Sequence, residues 1–177
     1  MSIVSLSSVK FLLSCEILID KSALLNPEFG AFIDQYGPVF KEHGKTIQLL
    51  PVSKVLLMTS FRNGYDWLKA RKALATIATN KDLFSDGSFH FDWESLIGAS
   101  ELEEFLKYII VDLAGQKPLI LITSDYQMAR DINLLRSIKV WDRTILLCRF
   151  RPGGTLRPLY PQSRTVSELW ADGEKII

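Results

Sequence analysis

The segment PLILIT, residues 118–123, is apolar up to its closing threonine, and Ser124, Asp125 and an amphipathic helix beginning at Tyr126 follow without a linker. A short apolar run bounded by turn residues reads as a buried strand. A strand buried this completely needs cover on both sides, so it constrains the fold more than any other stretch. It also ends by delivering a carboxylate.

The same pattern recurs along the chain. FLLSCEILID (11–20) reads as a buried strand that ends in Asp20 and is closed by the turn-like DKS; TIQLL (46–50) is closed by Pro51; and RTILLCRF (143–150) is the last strand. Helices fall between them. NPEFGAFIDQYGPVFKEHGK has Asn26 as N-cap, Pro27 at the first helical position, Gly44 as a stop, and Gly37-Pro38 as an expected kink or break. YDWLKARKALATIAT (65–79), ELEEFLKYIIVDLAG (101–115) and the segment from Tyr126 to about Ile138 are further helices. VSKVLLMTSF (52–61) mixes β-branched and unbranched residues and is open between strand and helix, and NKDLFSDGSFHFDW (80–93) is the longest loop.

Strand alternating with helix predicts an α/β protein, a three-layer α/β/α sandwich with a mainly parallel sheet. At 177 residues and 47% apolar composition the chain can bury its own core. We expect one domain over 1–150 and an irregular, proline-bearing C-terminal extension over 151–177.

A formal net charge of +1 gives no global field towards nucleic acid or an anionic membrane, so any basic patch is local. Two histidines and two scattered cysteines lack the clustering of a zinc site. Cys15 and Cys148 lie in apolar runs and read as reduced core thiols. The first residues lack the basic and sustained apolar regions of an export signal, and no run approaches the roughly twenty apolar residues of a membrane span. These features predict a cytoplasmic protein without a membrane partner.

In an open parallel sheet, ligands bind beyond the carboxyl ends of the strands. Asp20 and Asp125 end two strands at that edge, and Asp92 in FHFDWES is a third candidate. Carboxylates gathered on one edge repel and raise one another's pKa, a cost that a divalent cation removes. Mg²⁺ takes a few carboxylates plus waters and activates water for attack at phosphorus. Each residue also has a plain structural role available: Asp125 as a helix N-cap, Asp20 as a turn cap, Asp92 as a cap of the next helix.

Over roughly residues 11–150 the chain resembles the PIN-domain nucleases. ILIDKSALLNPEF is similar to that family's first strand, acid and turn. KPLILITSDYQMARDI is similar to its later strand with Thr-x-Asp and the helix that follows. KEHGKTIQLLPVSKVLLM, WLKARKALATI and NLLRSIKVWDRTILLCRF resemble intervening and closing segments in the same order. The resemblance implies a metal-dependent endonuclease, most often of RNA, holding Mg²⁺ or Mn²⁺ on three or four acids. By position Asp20 matches the first acid, Asp92 or the nearby Glu94 the third, and Asp125 the last. The family's second acid, a Glu in the helix after the second strand, has no counterpart: Leu57 falls about where it belongs.

Residues 54–72 carry Lys54, Arg62, Lys69, Arg71 and Lys72 against Asp66, with Phe61, Tyr65 and Trp67 among them. Such a stretch suits a phosphate backbone and stacked bases, and equally a solvated helix face. Trp67, Leu68, Leu74 and Ile77 are expected mostly to pack. Asp131 reads as solvated or paired, His43 as a helix C-terminal residue, and His90 is the imidazole nearest the candidate acids in sequence. The resemblance also implies partners: nucleic acid, a second copy as homodimer, or a protein inhibitor or assembly. Without its second acid, the same chain reads alternatively as an inactive PIN-like binding module. A receiver-like domain with a phosphoacceptor Asp fits poorly, because it needs adjacent acids after the first strand and a late lysine.

Overall fold

The computed structural model describes residues 6–85, 98, 100–111, 117–137 and 144–159. Helix α1 (Leu6–Ser14) leads into strand β1 (Glu16–Ile19), the short helix α2 (Lys21–Leu24) and the longer α3 (Glu28–Glu42). Strand β2 (Ile47–Leu49) is followed by the helices α4 (Pro51–Asn63) and α5 (Trp67–Thr79), and strand β3 (Phe84–Ser85) completes this half. Then come α6 (Glu101–Val111), β4 (Leu119–Ile122), α7 (Tyr126–Ser137), β5 (Ile145–Phe150) and β6 (Leu156–Pro158).

The six strands form one sheet in the order β3-β2-β1-β4-β5-β6. All neighbours are parallel except β5 and β6, which pair antiparallel through Cys148↔Pro158 and Phe150↔Leu156. Alternation along each strand divides the core. Ile17, Ile19, Ile120, Ile122, Leu146 and Cys148 face a cluster built with α1, α2, α3 and α5. Leu18, Leu119, Leu121, Ile145 and Leu147 face a second cluster with Phe105 and Tyr108 of α6 and Met128, Ala129 and Ile132 of α7. Helices therefore cover both faces, an α/β arrangement compatible with three layers. All four residues of β4 are buried, each contributing about 1.5–3 kcal/mol relative to exposure.

Several local expectations are corrected. The apolar run 11–20 is not all strand: Leu6–Ser14 is helical and β1 begins at Glu16. The ambiguous 52–61 segment is helical, started by Pro51 at its first position, where the missing N–H has no intrahelical role. Gly37-Pro38 does not break α3, which runs continuously to Glu42. Packing overrides the local signal, because Phe29, Phe32, Ile33, Tyr36 and Phe40 form one buried stripe along that helix. Asn26 caps as expected, its Oδ1 accepting from Glu28 N at 3.0 Å, and Gly44 stops the helix at φ 60°. His43 Nδ1 lies 2.9 Å from Val39 O, as expected of a helix C-terminal residue.

Beyond residue 150 the chain supplies strand β6, and the turn that leads to it is pinned. Gly153 N donates to Glu28 Oε2 at 2.8 Å. Gly154 (φ 79°) approaches α3 so closely that a Cβ there would meet Phe32 N at 2.3 Å. Both cysteines are free and buried, as expected. Among the described residues no helix is long and apolar enough to cross a membrane.

Candidate functional site

The strand order reverses between β1 and β4: β2 and β3 lie on one side of this pair, β5 and β6 on the other. In open α/β sheets that reversal opens a crevice at the carboxyl ends, where ligands settle. Asp20 leaves β1 at this crevice and Asp125 follows β4 across it. The register that aligns them is Ile19↔Ile122, continued by Asp20 N donating to Ile122 O at 3.2 Å.

Asp20 is fully buried and caps α2. Its Oδ1 accepts from Ala23 N at 2.8 Å and from Ser22 Oγ at 2.8 Å. Its Oδ2 accepts from Thr123 Oγ1 at 2.6 Å and from Ser22 Oγ at 2.9 Å. Loss of water outweighs these donors, and Glu101 adds repulsion, so the carboxyl is pushed up to about 7. Asp125 is exposed and starts α7 in the capping role expected of it. Its Oδ1 accepts from Gln127 N at 2.9 Å and Met128 N at 3.1 Å. Thr123 Oγ1 joins the two acids, because it also accepts from Asp125 N at 3.0 Å.

The acid that the structure brings to Asp20 is Glu101, which is none of the acids expected there from the sequence. It opens α6, whose first turn carries Glu101, Glu103 and Glu104. Glu101 Oε2 accepts from Lys21 N at 2.8 Å and also from Ser53 Oγ. Glu104 Oε2 accepts from Val52 N at 2.8 Å, and burial, with repulsion from Glu101, raises its pKa. These two side chains supply acceptors to the first turns of α2 and α4, where backbone N–H groups have no helical partner. The signal was present in ASELEEFL, a serine followed by clustered acids at a helix start; Ser100 Oγ accepts from Glu103 N at 3.1 Å.

Asp92 and Glu94, expected to supply the third acid, lie outside the described residues, as does His90. Leu57, at the position lacking the second acid, is 1% exposed and belongs to the core. Asp131 pairs locally, its Oδ1 accepting from Gln127 Nε2 at 2.9 Å.

The donor set at this edge is all oxygen, the kind that a hard divalent cation takes. Among the described residues no three His, Cys, Asp or Glu side chains gather closely enough to cage an ion. Mg²⁺ is commonly held by one or two carboxylates, with waters and substrate phosphates completing its shell. Asp20 and Glu101 are two carboxylates close enough to feel one another at this edge, the number that mode uses.

The basic stretch is divided by the fold. Lys69 and Lys72 line a groove between α5 and the start of α3, whereas Lys54, Arg62 and Arg71 do not. Arg62 and Arg71 are exposed and Lys54 is half-buried. Trp67 and Leu68, expected to pack, are 49% and 50% exposed; α5 turns Ala70 and Ala73 inward instead. Phe61 is 39% exposed and Tyr65 entirely so. Beside Asp125, the exposed ring of Tyr126 has Arg149 5.8 Å from its centroid, and its hydroxyl accepts from the same guanidinium. No family model matches the chain, and neither a curated protein nor a solved structure does.

Proposed function

We propose that the chain is a PIN-like domain that hydrolyses phosphodiester bonds of nucleic acid, RNA above all, with Mg²⁺ or Mn²⁺ held by Asp20 and Glu101 and with Asp125 at the same sheet edge. The observation that carries this reading is the meeting of Asp20 and Glu101, from β1 and α6, where the strand order reverses. Burial first, and repulsion from Glu101 in addition, make the ionised Asp20 carboxylate costly, and cation binding offsets that cost. Bound there, such a cation supplies charge neutralisation and an activated water for attack at phosphorus. The chain's own contribution is positional. Thr123 and Ser22 fix the Asp20 carboxylate, the first turn of α7 fixes Asp125, and Tyr126 offers an exposed ring on which a base can stack.

A second reading, a nucleic-acid-binding module without chemistry, is favoured by one observation. Leu57 fills the core where the resemblance expects a Glu, leaving α4 without an acid. Calorimetry with Mn²⁺, together with cleavage of a labelled single-stranded RNA in Mn²⁺ or EDTA, separates the two. For the nuclease, Mn²⁺ binds the wild type, and Asp20→Asn and Glu101→Gln remove both binding and cleavage while all three proteins stay folded. RNA binding without Mn²⁺ binding or cleavage by a folded wild type leaves the module and ends the nuclease reading.

A further inference from the structure

The groove that receives Lys69 and Lys72 has a volume of about 530 Å³, within the ~300–1,000 Å³ of sites that enclose small ligands. Its walls come from two parts of the chain. The link from α2 to α3 gives Leu25, Asn26 and Pro27, and the first turn of α3 gives the buried Phe29. One face of α5 gives Lys69, Lys72, Ala73 and Thr76, at the three- and four-residue spacings that align side chains on a helix.

The lining is apolar below, cationic at the rim, and contains no carboxylate. The nearby Glu28 is engaged elsewhere, its Oε2 accepting from Gly153 N at 2.8 Å. Lys69 has an exposed partner in Asp66 at 3.1 Å, a surface pair of small energetic value. Lys72 has no ion partner among the described residues, and Thr76 spends its hydroxyl on the Lys72 carbonyl, 3.0 Å away.

The groove also adjoins the acidic edge. Asn26, one of its lining residues, donates from Nδ2 to Ser124 Oγ at 3.1 Å, and Ser124 is the residue before Asp125. The Asn26–Ser124 bond thus links the groove wall to the residue that precedes Asp125.

We propose that this groove holds one nucleotide of single-stranded nucleic acid, its base over Leu25, Pro27 and Phe29 and its phosphate at Lys69 and Lys72. Charge selects the occupant: a cationic rim around an apolar floor matches an anionic ligand with an aromatic face, which is what a nucleotide is. The proposal names a subsite of the nucleic-acid reading above and rests on nucleic-acid binding, but not on metal binding or catalysis.

Fluorescence anisotropy with a labelled 12-nucleotide oligouridylate, titrated with the full chain at several salt concentrations in EDTA, tests it. Lys69→Ala and Lys72→Ala remove charge on an exposed helix face. Gly30→Leu fills the groove from α3, and a Cβ at Gly30 meets nothing within 4 Å, so its melting temperature stays at or above that of the wild type. We expect each lysine variant to weaken binding several-fold and lower the slope of log K against log salt by roughly one. We expect Gly30→Leu to weaken binding by about tenfold with the slope nearly kept, the size of one lost base stack.

Wild-type binding that none of the three variants changes overturns the groove while leaving nucleic-acid binding intact. No binding by the wild type at low salt ends the groove and the nucleic-acid reading together. In a third arm, uridine monophosphate that competes at the oligonucleotide's own Kd marks the groove as a free-nucleotide site and overturns the strand as occupant.

Discussion

Thr123 Oγ1 donates to Asp20 Oδ2 at 2.6 Å and accepts from Asp125 N at 3.0 Å, so one hydroxyl ties the end of β1 to the first turn of α7. Thr123 is itself fully buried, and both bonds use its single oxygen. Thr123→Val keeps the shape and removes both bonds. We expect a loss of about 1–3 kcal/mol in denaturant unfolding, the cost of leaving buried groups unsatisfied. The loss is larger at pH 8 than at pH 5, because the bond favours the ionised carboxylate.

The Asp20 carboxyl rises from 3.8 to about 7 on folding, which fixes a sign. The folded state holds this proton more tightly than the unfolded chain, so the contribution to stability is complete below about pH 4 and is lost as pH rises through 7. At about 1.4 kcal/mol per pKa unit, the full span is on the order of 4 kcal/mol. Urea melts of the wild type and Asp20→Asn from pH 4 to 8 are expected to converge or cross as pH rises, the variant gaining relative to the wild type. Parallel curves contradict an elevated Asp20.

Gly154 is required by both its backbone and its neighbour. Its φ is 79°, and an added Cβ meets Phe32 N at 2.3 Å and Ala31 C at 2.5 Å. Gly154→Ala is therefore expected to cost more than about 2 kcal/mol, by forcing the β5–β6 turn off α3. Gly153→Ala, with φ 85° but open space around the Cβ position, carries the conformational cost alone, about 1–2 kcal/mol. Thermal melts of the two variants rank them.

Leu57→Glu does not restore a missing ligand. The position is 1% exposed and packed in the cluster shared by α3, α5 and β1, so a carboxylate there is buried without a partner. We expect destabilisation of at least about 3 kcal/mol and no gain in Mn²⁺ affinity. A folded Leu57→Glu variant that binds Mn²⁺ more tightly than the wild type overturns this placement.

Much of the architecture was legible in the chain itself. Apolar runs such as 118–123 and 143–150 spelled strands, and the stripe Phe29, Phe32, Ile33, Tyr36 and Phe40 spelled a helix, because strand and helix impose different periods on the same requirement for burial. The capping residues announced their own turns: Asp125 and Asn26 act on N–H groups two or three residues away, so their roles are local and sequence suffices. Leu6–Ser14 escaped because its apolar residues merge with those of β1, and periodicity alone cannot divide such a run.

What only the tertiary structure decided is which distant groups meet. The strand order set β1 beside β4 and thereby placed Thr123 on Asp20. The packing of α6 across the starts of α2 and α4 brought Glu101 to Lys21, Ser53 and the Asp20 carboxyl. Burial of Ala70 and Ala73 turned α5 so that Lys69 and Lys72 border a groove and Trp67 faces solvent. Each is a contact between segments far apart in the chain, set by how the helices satisfy both faces of one sheet. A linear sequence records which residues need burial and which can cap a helix; it does not record whose carboxylate arrives beside whose.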